Sequence, residues 1–200
     1  MLVSIRCIVI AIFILNLLVA CNRLKGHPAS CMENPDVEGK MLVIISELLD
    51  LKEMDPLVDT NIMMIDEKFQ ATYKVLEVVC GEYSKDTISF IAHDHYGIPG
   101  FSKYKNVMLF LTQYDSIFYH QKYQFYDVYK TKDGRWASSY KKDDHWRGSD
   151  VKPIPIEFPE EVSYNIVGWK KKLIKEYFPA PYYRLTKDKA IAVWGNYVPE

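Results

Sequence analysis

Phe69-Gln70-Ala71-Thr72-Tyr73-Lys74-Val75 alternates apolar and polar side chains at a period of two. Only a β-strand gives that pattern one dry face and one wet face, because a helix would scatter the same residues around its circumference. The run continues as "EKFQATYKVLEVV", and its alternation shifts at Val75-Leu76, where a bulge would bend a long strand. "GEYSKD" turns the chain, and "TISFIA" puts Ile88, Phe90 and Ala92 on one face of a second strand. Upstream, "KMLVIISELLDLKE" fits either a helical face (Met41, Ile44, Ile45, Leu48, Leu51) or a strand face (Val43, Ile45, Leu49, Leu51); its β-branched run Val43-Ile44-Ile45 favours the strand. "VMLFL", 107–111, is apolar throughout, as a central strand covered on both sides would be. "IFYHQKYQFYDVYKTKDGRWASS" is a long tyrosine-rich segment with a hairpin turn at Asp133-Gly134.

From residue 141 the chain becomes charged and proline-rich. A short amphipathic helix follows within Gly168 to Phe178. Trp169, Leu173 and Tyr177 share one of its faces, Lys170 to Lys172 lie mostly off it, and Pro179 with Pro181 stops it. "YYRLTKDKAIAVWG" reads as a closing hairpin. The expectation is a mainly β chain with at least five strands and one or two helices.

The first residues obey a different rule. Arg6 precedes fourteen residues, Cys7 to Ala20, of which only Asn16 is polar. A spanning helix needs roughly 20 apolar residues, so the shorter run with its small-residue exit reads as an export signal. Leu18-Val19-Ala20-Cys21 resembles the bacterial lipoprotein box. That resemblance implies cleavage before Cys21, a diacylglycerol on its sulfur, and often acylation of its amine. Asn22 is not the inner-membrane retention aspartate, which points to the outer membrane in a Gram-negative host. Simple cleavage after Ala20 and an uncleaved anchor are the alternatives.

Losing residues 1–20 removes Arg6 and no acid, leaving 24 cationic against 26 acidic side chains, formally −2. Such a balance lacks the basic field that nucleic-acid binding needs. Cys7 leaves with the signal and Cys21 would carry lipid, so Cys31 and Cys80 remain in an oxidising compartment. A bridge between them would close about 49 residues and stabilise by about 4 kcal/mol through loop-closure entropy; the alternative is two unpaired thiols.

"LVIISELLDLKEMD", "FQATYKVLEVVCGEYSKDTISFIA" and "YKNVMLFLTQ" together resemble the netrin-like module, the five-stranded OB-type barrel of tissue inhibitors of metalloproteinases. Tyr73, Val75, Val78, Gly81, Asp86, Ile88 and Phe90 carry the likeness, over roughly residues 40–115. It implies an OB-like five-stranded barrel with a C-terminal helix and hairpin extension. Those inhibitors chelate zinc through a free N-terminal cysteine; an acylated Cys21 would block that chelate. The family's first-strand cysteine pair and most of its disulfides are also missing. The expected layout is signal peptide 1–20, tether 21–38, barrel 39–140, proline-rich connection 141–158, and helix with hairpin 159–200, packed on the barrel or forming a small appendage.

His93 and His95 in "FIAHDHYG" would face the same way on a strand, with Asp94 opposite. A metal site there needs a third ligand, from His120 or His145; the alternative is a polar strand end. Tyr119, Tyr123 and Tyr126 suit stacking on sugars or protein surfaces, and equally suit a half-covered strand. No catalytic set is expected: the chain has no G-x-S-x-G elbow, no phosphate loop and no Cys-x-x-Cys. No metal or cofactor is assigned.

The functional expectation is therefore a non-catalytic binding module of the bacterial cell envelope. It would be held to the membrane by its N-terminal lipid, with a protein or carbohydrate partner and no nucleic acid. A metal-binding protein using His93 and His95 and a protease-inhibitor-like module are the alternatives. Mass spectrometry of the exported chain should find acyl chains on Cys21, and Cys21→Ser should block maturation; a bare thiol, or unchanged processing, would refute lipidation.

Overall fold

The computed structural model describes residues 39–54, 66–142 and 152–198. The expected signal and tether, with Cys21, Cys31 and His145, lie outside the described residues. Five strands close a barrel in the order β1-β2-β3-β5-β4: β1 Lys40–Met54, β2 Glu67–Cys80, β3 Thr87–Asp94, β4 Asn106–Tyr114 and β5 Ile117–Asp127. This is the OB-like barrel.

Closure depends on β1 being long and bent. Its first half pairs with β4, from Lys40↔Gln113 to Glu47↔Asn106, while Val43 to Met54 pair with β2. Three register shifts punctuate the β1–β2 ladder. One leaves Leu76 unpaired, at the shift expected from the sequence; another leaves Leu49 unpaired on β1. Both leucines are exposed, as bulged residues turned out of the ladder would be. The last closure is short and parallel: Phe90↔Phe118 and Ile91↔Tyr119 between β3 and β5.

The barrel interior collects the alternating residues. Phe69, Ala71 and Tyr73 meet Ile88, Phe90 and Ala92 together with Leu42, Ile44, Phe101, Val107, Leu109 and Leu111. Tyr73 stacks on Phe90 at 5.5 Å and meets Phe101 edge-on at 6.0 Å. On β4, Val107, Leu109 and Leu111 point inward, while Met108 and Phe110 are half-buried on the outer face.

What covers that outer face is a second unit. The barrel's strands end at Asp127, short of the expected boundary at 140. β6 Tyr129–Lys130 and β7 Trp136–Ser139 join β8 Ile154–Pro155 and β12 Trp194–Tyr197 in a sheet ordered β6-β7-β12-β8. A second sheet, β10-β11-β9, comprises β9 Ser163–Asn165, β10 Tyr183–Leu185 and β11 Lys189–Ala192. β10 and β11 form the expected hairpin, and α1, Lys171–Tyr177, is the expected helix. Gly195 permits the β7–β12 contact, since a Cβ there would lie 1.9 Å from the Ser138 carbonyl oxygen.

Two contacts seat this unit on the barrel. Val128, Trp136 and Val198 pack on Ile45 of β1, and Trp136 Nε1–H donates to Glu77 Oε2 at 3.0 Å. The second is polar. Asp127, with no exposed surface, pairs with the Lys141 ammonium and accepts hydrogen bonds from the Tyr129 and Tyr164 hydroxyls, each 2.8 Å from Oδ2. Burial alone would raise the Asp127 carboxyl; the Lys141 charge and these bonds outweigh it and hold it below the ordinary carboxylate value.

Cys80, the last residue of β2, is disulfide-bonded. Among the described residues the Tyr73 hydroxyl is buried in the core without a hydrogen-bond partner. Burial therefore pushes its ionisation well up, and the unpaired group costs stability. Tyr73→Phe should raise stability by about 1 kcal/mol, read as a higher urea midpoint at unchanged slope; a loss would mean that the hydroxyl has a partner in solution.

Candidate binding cleft at the barrel end

β5 does not run straight. Leu111 faces His120 and Leu109 faces Phe125, so Gln121 to Gln124 stand opposite the single residue Phe110. His120 Nε2–H donates to the Gln124 carbonyl at 3.0 Å and closes the neck of this bulge. At its tip Tyr123 takes φ of 65°, a conformation costly for a residue with a Cβ. The tip is pinned across the barrel end: Lys122 Nζ lies 2.6 Å and 2.7 Å from the two Asp66 carboxylate oxygens. That hydrogen bond, against a smaller opposing effect of desolvation, holds the Asp66 carboxyl below its usual value; the charges of Lys122, His95 and His93 act in the same sense.

Facing the bulge is the turn that leaves β3. Asp94 is buried and its Oδ1 accepts from the Tyr96 backbone N–H at 2.8 Å. Gly97 then takes φ of 92°, and a 3-10 turn, Gly100–Lys103, drops Phe101 into the core. Tyr96 is left 84 % exposed and Ile98 67 % exposed. Between turn and bulge lies a cleft of about 220 Å³. Its floor is Phe101, His120 and Phe125; Tyr96, Ile98 and Tyr123 form its rim, with Asp94 and Lys103 at the side. Tyr96 and Tyr123 are 6.0 Å apart, and the His95 ring meets Tyr96 edge-on at 5.2 Å.

His120 is the unusual group. Its ring lies 4.6 Å from Phe101 and 6.2 Å from Phe90. Burial pushes its imidazole down to about 4, although the Gln124 carbonyl and the Asp94 charge act in the opposite sense. At neutral pH the ring is uncharged. With Nε2 protonated to serve Gln124, Nδ1 is left as an acceptor.

The five residues expected to form a binding surface do not lie together. His93 and His95 share a side, as the alternation requires, and both feel Asp66, while Asp94 turns to the cleft. Tyr123 joins them through the bulge. Tyr119 instead packs against Tyr114 beside the β4–β5 turn, and Tyr126 packs against Phe110 under the second unit. His120, weighed as a third metal ligand, is turned into the cleft floor. Among the described residues no group of three or more His, Cys, Asp or Glu side chains is placed to hold a metal ion. Tyr96, Ile98 and Phe125 went unnoticed in the sequence, although "HYGIPG" marks an apolar turn.

No family model matches the chain, and no curated protein and no solved structure matches it either.

The His120 value is lower folded than unfolded, so only the unfolded chain takes up its proton between pH 6.5 and about 4. Its contribution is full above pH 6.5 and fades as pH falls through that window, by about 3 kcal/mol. His93, also lowered by burial, acts in the same sense. His120→Gln should therefore lose most of the acid-side slope of the urea midpoint; an unchanged slope would refute a buried neutral imidazole.

Proposed function

We propose that this chain is a lipid-anchored, extracytoplasmic binding module without catalytic activity, which takes a protein partner at the barrel-end cleft. The carrying observation is the exposed aromatic rim, Tyr96, Ile98 and Tyr123, around a pocket built by a strained bulge. Strain of that kind persists only where surrounding contacts over-determine it, and it clusters at ligand-contacting sites. The size of the cleft favours a partner's side chain: ligand pockets for small molecules run about 300–1,000 Å³, and this one is about 220 Å³. A rim of tyrosine and isoleucine around a desolvated hole is the usual make-up of a protein hot spot.

The placement of the cleft agrees with a tether. Gly39 lies against Thr112, Gln113 and Tyr114, beside the β4–β5 turn. Asp94 pairs with Glu67, at the end of the β1–β2–β3 ladder where β1 finishes at Met54. A chain held through residues before Gly39 would thus present the cleft away from its attachment. Among the described residues no helix is long and apolar enough to cross a membrane. The cell-envelope address rests on the lipoprotein-box resemblance, and the netrin-like kinship on the pattern of residues 40–115; a Cys31–Cys80 bridge would be the simplest use of the Cys80 disulfide.

A photo-crosslinking residue at position 96, in the full chain in its native membranes, should trap one protein species. Tyr123→Ala should abolish that adduct, and the same crosslinker at exposed Lys74 should not form it. Trapping that ignores Tyr123→Ala would sink the reading, and so would rim-dependent binding to a glycan array with no protein adduct.

A further inference from the structure

Cleft residues aside, the densest exposed apolar surface lies on α1 and the turn before it. Gly168, at φ of 80°, leads the chain into the helix, and Val167 before it is 67 % exposed. Trp169, Leu173 and Tyr177 follow at intervals of four residues, at 42 %, 39 % and 46 % exposure. Residues so spaced share one helix face. The opposite face is already used: Phe178 is buried against Tyr164 and Tyr183, and Ile174 packs on the same cluster. Trp169 is held in place, 5.6 Å from Phe178 and edge-on to Tyr177 at 5.9 Å. The stripe is thus a fixed feature of the second unit with no covering element among the described residues.

Charge says what would cover it. Lys170, Lys171, Lys172 and Lys175 are all exposed around this stripe, and the one acid among them, Glu176, is neutralised by Lys142 at 2.6 Å. A Trp-Leu-Tyr stripe wrapped in lysines has the composition of a segment lying in the plane of an anionic bilayer. Indole and phenol rings settle at headgroup depth, and each nearby lysine adds attraction to anionic lipid. An acidic protein would satisfy the lysines but has no special need of the Trp and Tyr polar edges.

We propose that the α1 face, Val167 to Tyr177, is a second membrane contact that docks on anionic lipid headgroups. It would set the orientation of the molecule on the bilayer. The contact does not depend on what Cys21 carries, because it is built from residues of the folded second unit.

The test uses the full chain in vesicles of equal parts phosphatidylcholine and phosphatidylglycerol, with lipids brominated on their acyl chains as quenchers. The fluorescence lost on going to Trp169→Phe isolates the Trp169 signal from the other tryptophans. Docking predicts that this signal is quenched in the anionic vesicles and not in pure phosphatidylcholine. Changing all four lysines to Gln should return it to the unquenched level, each lysine being worth about fivefold in lipid affinity. Should that variant fold poorly, high salt on the unaltered chain should release Trp169 in the same way. The proposal is overturned if Trp169 stays open to aqueous iodide in anionic vesicles. It is also overturned if quenching is equal in neutral vesicles, or if copies crosslink through α1 without quenching. A chain with a bare Cys21 that still quenched Trp169 would sink the lipid anchor alone.

Discussion

One strand serving two neighbours is the constraint on which everything else rests. β1 pairs with β4 along its first half and with β2 along most of its length, which is possible only if it bends. The bending is done by unpaired residues such as Leu49 on β1 and Leu76 on β2, because an extra residue adds local twist that a regular ladder does not have. Once β1 is bent, β3 and β5 come within reach, and two residues of each are enough to close the cylinder. Closure removes exposed edges and puts the alternating residues of every strand into one core.

The cleft is a by-product of how the barrel ends. β5 carries four residues opposite one, and the surplus must go outward. His120 and Gln124 close the loop by a single hydrogen bond, and Lys122 with Asp66 fastens its tip. Strain at Tyr123 is thus held by contacts on both sides, and the aromatic ring is presented to solvent at small further entropic cost. At the seam with the second unit the logic is reversed. There Asp127 is desolvated, and it is tolerable only because Lys141, Tyr129 and Tyr164 supply a cation and two hydroxyl donors. Binding surface and structural seam use the same residue types; exposure separates them.

The tyrosines show how far pattern carries. Tyr119, Tyr123 and Tyr126 look alike in the sequence because they share one segment and similar neighbours. In the fold they part company: Tyr123 lies in the bulge at the cleft rim, Tyr119 beside the β4–β5 turn, and Tyr126 under the second unit. A bulge of this size changes which face each later residue presents, and nothing local announces it. His93 and His95, by contrast, lie on the β3 end where the period of two still applies, and they do share a side.

What the sequence determined alone was everything that follows from short-range periodicity: the strands of the barrel, the shift at Leu76, the turn at Gly134, the brief helix and the final hairpin. These depend on side chains within a few residues of one another, where the period of a strand or helix is itself the physical cause. Only tertiary structure decided that β6 and β7 leave the barrel to pair with the far end of the chain. It also decided that His120 is buried and neutral, and that Tyr96 faces Tyr123 across a cleft. Each of those outcomes joins residues well separated in the chain, and desolvation and pairing exist only once the fold has brought them together.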